Sequence, residues 1–224
     1  MCSTHKLLTV AFILWRVDRE LESLGQHVVY SREDLVDYSP FTSKHVGGSG
    51  VKIAALCEAA ITLSDNTASN LLLRRVGGPQ VWTHWVRTFA DTVTRLDRYE
   101  PQVNDVSLGD RRDTTTPLAM LRDMHKIVLG KTLSSSSRDQ IRRWLCSCQT
   151  GASRIHAGLP KDWQEADKTG TGPAINNAAN DIAVLWPPRH APILVTAYYA
   201  YSQASDDERD AVLASVGRLV ANWI

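Results

Sequence analysis

The sequence predicts an α+β fold, an all-helical region followed by an antiparallel sheet flanked by helices. Three observations carry this. Apolar residues recur at helical spacing through most of the first two thirds of the 224 residues. Three extended stretches, residues 163–169, 181–186 and 192–201, then follow one another through short links, the pattern of an antiparallel meander. A capping box, Ser205-Asp206-Asp207-Glu208, opens a final helix able to cover that sheet. The chain therefore divides into a mainly helical region, 1–145, and a region of three strands and a C-terminal helix, 146–224.

The elements follow in order. Residues 3–24 read as one helix stopped by Gly25, so apolar between Leu7 and Trp15 that it must be buried on most sides. A short extended piece at 28–31 leads into a polar loop with Tyr38-Ser39-Pro40 and a turn, Gly47-Gly48-Ser49-Gly50. Residues 51–62 form a helix whose Ala54, Ala55, Ala59 and Ala60 allow close packing. Ser64-Asp65-Asn66 turns into a helix over 67–76, closed by Gly77-Gly78-Pro79, and 79–89 is amphipathic through Val81, Trp82, Trp85 and Val86. Residues 98–113 have the length and composition of an Ω-loop, with Arg98 and Asp113 placed to close it by a charge-assisted pair. Thr116-Pro117 caps a helix running to Leu129 and Gly130. Another helix covers 134–148.

Composition narrows the function. With 25 basic and 24 acidic side chains, net charge +1, nothing attracts nucleic acid or an anionic membrane. The apolar run 7–15 is cut by Arg16, Asp18 and Arg19, too short for a bilayer that needs ~20 apolar residues. No basic stretch or small-residue cleavage site marks it as a signal peptide. Cys2, Cys57, Cys146 and Cys148 are expected as free thiols, and no His/Cys cluster has metal-ligand spacing. Neither metal nor cofactor is expected.

Chemistry enters with Ser3-Thr4-His5-Lys6. On a helix, residues three apart share a face, so Lys6 is expected to reach Ser3 Oγ and take its proton. Three further motifs follow in order: Ser64-Asp65-Asn66, Glu100-Pro101-Gln102-Val103-Asn104 and Lys168-Thr169-Gly170. Together they resemble the class A serine β-lactamases, which hydrolyse β-lactam antibiotics through an acyl-enzyme. The resemblance implies a small-molecule substrate, a monomer, and a periplasmic or secreted location. It implies Ser3 as nucleophile, Lys6 as proton acceptor or hydrogen-bonding hub, and Ser64 as proton relay to the leaving nitrogen. Glu100 and Asn104 would activate and hold the deacylating water. Tyr38 would stand at the cleft entrance, Asn66 would bind the substrate side-chain amide, and Asp65 would pin its turn. Lys168, Thr169, Gly170 and Arg154 would serve the substrate carboxylate, and the backbone N–H groups of Ser3 and Thr171 would form the oxyanion hole. His5 receives no role. A cis peptide before Pro101 is also implied, whereas the disulfide partners that members use for Cys2 or Cys57 are missing here.

Transpeptidases and β-lactam sensors share the three shorter motifs but lack the Glu-Pro-x-x-Asn loop. Members carry a helix and two strands before the nucleophile, which is residue 3 here. On that ground the chain is expected to be truncated, with Val212, Val216, Leu219 and Val220 uncovered, poorly soluble and nearly inactive.

Overall fold

The computed structural model describes residues 1–224. A 3-10 turn, Cys2–Thr4, leads into α1, His5–Val17, which is buried from His5 to Leu14. A helix this apolar is stable only when enclosed, and α2, α3, α4 and α6, defined below, pack around it. α1 ends sooner than the sequence predicts. Glu20 adopts φ 59°, Leu21 N–H donates to Arg16 O and Glu20 N–H to Val17 O. That pair of bonds is a Schellman closure, here with glutamate where glycine is usual, so the Gly25 stop is never reached.

β1, His27–Val28, pairs antiparallel with β2, Val51–Lys52. The sequence places Val51 at a helix start; it is a strand because Gly50, at φ 78°, brings the chain against β1. A Cβ on Gly50 would lie 2.4 Å from Val28 O. α2, Ile53–Thr62, α3, Asn66–Arg75, and α4, Pro79–Arg87, follow. Phe12 of α1 stacks on Trp85 of α4 with centroids 4.6 Å apart, and Trp82 is fully buried beside them. Thr116 caps α5, Pro117–Met124, which continues as a π-helical turn, His125–Leu129, before Gly130. α6, Ser135–Cys146, is capped by Ser134, leaving Cys148 beyond its end. Cys2 and Cys57 are buried, and all four thiols are free.

β3, Gln164–Thr171, β4, Ala179–Trp186, and β5, Ile193–Tyr199, form an antiparallel sheet in that order, with Lys168 opposite Ile182 and Asp181 opposite Ala197. Alternate residues serve two cores. Ala166, Ile182 and Val184 join the main core with the helices. Ala183, Leu185 and Val195 pack with Ile155 and with Leu213 of α7, Asp206–Trp223. Within α7, Val216 and Val220 lie against that second core, whereas Val212 and Leu219 are exposed. No helix is long and apolar enough to cross a membrane.

The loop 98–113 is closed as expected. Arg98 Nε donates to Asp113 Oδ2 at 2.5 Å, and Asp113 Oδ1 accepts the N–H groups of Asp97 and Arg98 at 2.7 and 3.0 Å. The Asp113 side chain is fully buried, so removing its cation strands a charge away from water. Breaking such a pair costs about 3 kcal/mol or more. Arg98→Ala is therefore expected to lower unfolding free energy by that amount and to open residues 98–113 to proteolysis. A loss below about 1 kcal/mol with unchanged protease resistance would reduce the pair to a surface contact.

Candidate active site

Four elements meet at the site. The first turn of α1 supplies Ser3, His5 and Lys6; the α2–α3 turn supplies Ser64, Asp65 and Asn66; the 98–113 loop supplies Glu100 and Asn104; the edge strand β3 supplies Lys168 to Thr171. They enclose a cleft of ≈ 640 Å³ whose walls include Ser3, Tyr38, Ser64, Asn66, Asn104, Thr169 and Thr171. Lys6, Glu100 and Lys168 lie directly beneath, with side chains fully out of water.

Each segment is fixed by local chemistry. Asp65 caps α3 by accepting from Ala68 N–H at 2.8 Å. Its carboxylate also accepts from Phe41 N–H, Thr42 N–H and Thr42 Oγ1, each at 2.9 Å, tying the turn to the preceding loop. Ser64 takes φ 56° and Tyr38 φ 59°, conformations uncommon for non-glycine residues and frequent where a site demands a side-chain direction. Asn70, one turn into α3, clamps the backbone of Glu100, donating to its O at 2.8 Å and accepting from its N–H at 2.9 Å. The Glu100–Pro101 peptide is cis. Gly170 lets β3 approach the nucleophile turn, since a Cβ there would sit 3.0 Å from Met1 O and 3.2 Å from Ser3 N. The backbone at Ser3 and the β3 edge thus converge on one end of the cleft.

The hydrogen bonds differ in one respect from the expected helical pairing. Ser3 Oγ donates to Glu100 Oε1 at 3.2 Å rather than to Lys6. The reason is geometric: Ser3 sits in the 3-10 turn ahead of α1, and Lys6 Nζ is drawn to the opposite wall. There it donates to Ser64 O at 2.7 Å, Asn66 Oδ1 at 2.6 Å and Ser64 Oγ at 3.3 Å, while also lying 3.1 Å from Glu100 Oε1. Glu100 Oε2 accepts from Asn104 Nδ2 at 2.6 Å. Ser64 Oγ also accepts from Lys168 Nζ at 3.1 Å, so one hydroxyl bridges two buried lysines. Asn66 is engaged at both ends of its amide, with Nδ2 donating to Asp37 O at 2.9 Å.

Electrostatics follow from this enclosure. Burial acts to raise the Glu100 carboxyl, but the Lys6 charge and the His5 hydrogen bond prevail and hold it well below the ordinary carboxylate range. Burial lowers Lys6, opposed by the Glu100 charge. The two stand as an ion pair, each favouring the charged form of the other. Lys168 is pushed down to about 8, by burial first and then by the nearby Lys6 charge against the pull of the Cys148, Asp167 and Asp181 side chains.

Arg154 stands behind the strand rather than in the cleft. Its guanidinium donates to Gly170 O at 3.1 Å, Asn180 O at 2.8 Å and Thr171 Oγ1 at 2.8 Å, and pairs with Asp210 at 2.9 Å. It meets the cleft only through Thr171. The sequence reading missed Asn70, His5, Thr150 and Asn176. Thr150 Oγ1 lies 2.5 Å from Thr169 Oγ1, and Asn176 donates to Asn104 O at 2.7 Å, tying the β3–β4 link to the loop that carries Glu100. Asn70 was visible only as a polar residue four after Asn66 on one helix face. Nothing in the sequence marked Thr150 or Asn176.

A family model described as the β-lactamase enzyme family matches residues 1–224. β-Lactamase CTX-M-97 of Escherichia coli is 41% identical over 222 residues, 99% of this chain and 75% of that protein. β-Lactamase AER-1 of Aeromonas hydrophila is 41% identical over 222 residues, 99% of this chain and 72% of that one. Among solved structures, an ancestral (GNCA) class A β-lactamase is 54% identical with TM-score 0.97, covering 100% of this chain and 85% of its own. The putative class A β-lactamase PenP from Rhodopseudomonas palustris is 49% identical with TM-score 0.97, again over 100% and 85%. By these similarities over its whole length, the chain belongs to the class A branch of the β-lactamase enzyme family.

Proposed function

We propose that the chain hydrolyses β-lactams through a covalent ester on Ser3. The observation that carries the reading is the hydrogen bond from Ser3 Oγ to Glu100 Oε1 at the cleft floor, beside the Lys6 ammonium. Ser3 Oγ attacks the lactam carbonyl carbon as its proton passes to Glu100. The oxyanion is received by the N–H groups of Ser3 and Thr171, at the end of the cleft where β3 meets the nucleophile turn; each such donor is worth about 10²–10³ in rate. As the C–N bond breaks, the ring nitrogen takes a proton from Ser64 Oγ. Ser64 recovers it from Lys6, and Lys6 from Glu100, along contacts of 3.3 and 3.1 Å. Glu100 is then a carboxylate again.

Deacylation needs a water whose proton Glu100 removes. Asn104 supports this role, since its Nδ2 orients Glu100 Oε2 and its buried Oδ1 accepts nothing from the protein. The water oxygen adds to the ester carbon, Ser3 Oγ leaves, and the proton returns from Glu100 to Ser3. Lys168, Thr169 and Thr171 receive the substrate carboxylate, with Arg154 fixing the Thr171 hydroxyl from behind. Asn66 and Tyr38 form the opposite wall. Glu100 in this position favours hydrolysis over the transpeptidase and sensor alternatives. The enzyme is read as a monomer acting outside the cytoplasm.

A penicillin should add its intact mass to the peptide containing Ser3; Glu100→Gln should form that adduct more slowly, with Lys6, freed of its anion, as the remaining base, and accumulate it because the water loses its base. Mass on another peptide would overturn the nucleophile, and turnover by Glu100→Gln equal to the parent would remove Glu100 from the mechanism.

Lys168 gives a pH signature. Below about 8 it is an ammonium that attracts the carboxylate; above, it is a neutral amine. KM should therefore rise between pH of about 7 and about 9.5, with kcat changing less, and Lys168→Arg should move the rise to higher pH because guanidinium stays charged. A flat KM across that interval would exclude Lys168 as the carboxylate's partner.

A further inference from the structure

His5 is not explained by the four motifs, yet it is enclosed in the site almost completely. It opens α1 with a side chain 1% exposed, and its Nε2 lies 3.3 Å from Glu100 Oε1, the oxygen that also faces Ser3 and Lys6. Its other nitrogen, Nδ1, lies 3.3 Å from Thr9 Oγ1, one turn along the helix. Thr9 Oγ1 in turn accepts from Trp82 Nε1–H at 3.1 Å. Thr9 and Trp82 are both fully buried, and buried polar groups are paired, so the hydrogen bonds they make within the protein constrain where each proton sits.

The accounting selects one arrangement. Glu100 is ionised and can only accept, so the bond from His5 requires the imidazole proton on Nε2. Nδ1 then carries a lone pair and needs a donor. Trp82 N–H satisfies a lone pair of Thr9, and the single Thr9 hydroxyl proton, within reach of His5 O at 3.2 Å and of Nδ1 at 3.3 Å, is the one donor that can serve Nδ1. We infer that His5, resting on the Trp82–Thr9 chain, is a positioning residue that orients the Glu100 carboxylate for deacylation. The inference rests on the reading of Glu100 as the base in the proposed function. His5 does not line the cleft; it acts through Glu100. With Asn104 holding Oε2 and His5 holding Oε1, the carboxylate plane is fixed at both ends.

The same geometry provides a second state. If His5 gains a proton, Nδ1 becomes a donor to Thr9 Oγ1, and the Thr9 hydroxyl turns to His5 O, 3.2 Å away. The charged groups acting on the ring are Lys6 on α1 and Glu100 and Asp113 on the loop; Trp82 on α4 adds no charge. Burial and the Lys6 charge lower the imidazole below its ordinary value, while Glu100 and Asp113 oppose them. Protonation places a second cation against Glu100 and weakens it as a base, so deacylation should fall in acid with the His5 titration.

The experiment measures acylation and deacylation separately, by rapid mixing with a chromogenic cephalosporin, across pH. The parent, His5→Phe, His5→Gln and Glu100→Gln are compared, with 15N NMR of the parent's histidines. A Gln amide places a donor where Nε2 stood but does not titrate. The expected results are an unprotonated Nδ1 at neutral pH, and in His5→Phe a deacylation rate about tenfold lower, with acylation slowed as well because Glu100 takes the proton in both steps. His5→Gln should recover most of that loss, while its acid limb moves to lower pH. If Glu100→Gln stalls as an acyl-enzyme but both His5 variants match the parent in deacylation and acid limb, His5 has no positioning role. If Glu100→Gln turns over normally, the base assignment fails and this inference falls with it. A His5→Phe loss that His5→Gln does not recover would mark a general packing defect and equally overturn the proposal.

Discussion

The ion pair between Lys6 and Glu100 is the interaction on which the rest of the site depends. Both side chains are fully buried with Nζ and Oε1 3.1 Å apart, and taking two charges out of water costs several kcal/mol per ion. Such a pair persists only if the remaining donors and acceptors are also satisfied. Lys6 directs its protons to Ser64 O, Asn66 Oδ1 and Glu100; Glu100 accepts from Ser3, His5 and Asn104. The requirement that desolvated charges be completed draws Ser3, Ser64 and Glu100 to one place.

Much of the surrounding fold holds that arrangement in register. α1 carries Lys6 because an all-round apolar helix has nowhere to lie except between other helices. The Asp65 cap fixes the turn that offers Ser64 and Asn66, and Asn70 grips the Glu100 backbone from the next turn of the same helix. The Arg98–Asp113 closure brings the ends of the Glu100 loop together, and Asn176 ties its middle to the sheet. Each tether comes from a different element, so the site's geometry is a property of the tertiary structure rather than of any one motif.

How much of this was legible in the sequence follows from what is local. The caps at Thr116 and Ser205, the Ω-loop pair and the meander were readable because a few adjacent residues determine them. The end of α1 was not: Glu20 in a left-handed conformation closes the helix without the glycine that would have announced it. The β1–β2 pair escaped because two-residue strands have too little pattern. The candidate site residues follow from motif order, while their partners depend on distance across the fold. Ser3 spacing pointed to Lys6, yet the 3-10 turn swings Ser3 to Glu100. His5 appeared idle because its two partners are four residues and 95 residues away. Arg154 was placed near the carboxylate site, but nothing in the sequence showed that it would spend its guanidinium on strand carbonyls.

The central claim is that the resting site holds a charged lysine against a charged glutamate, with the proton inventory set by burial and hydrogen bonding. Neutron diffraction from a deuterated crystal at neutral pH measures this directly, because it locates the protons. The account predicts three deuterons on Lys6 Nζ, none on either oxygen of Glu100, and the Ser3 hydroxyl deuteron pointing at Glu100 Oε1. A deuteron on Glu100 beside a neutral Lys6 amine would contradict it, since Glu100 could then neither take the Ser3 proton nor hold Lys6 as an ion pair.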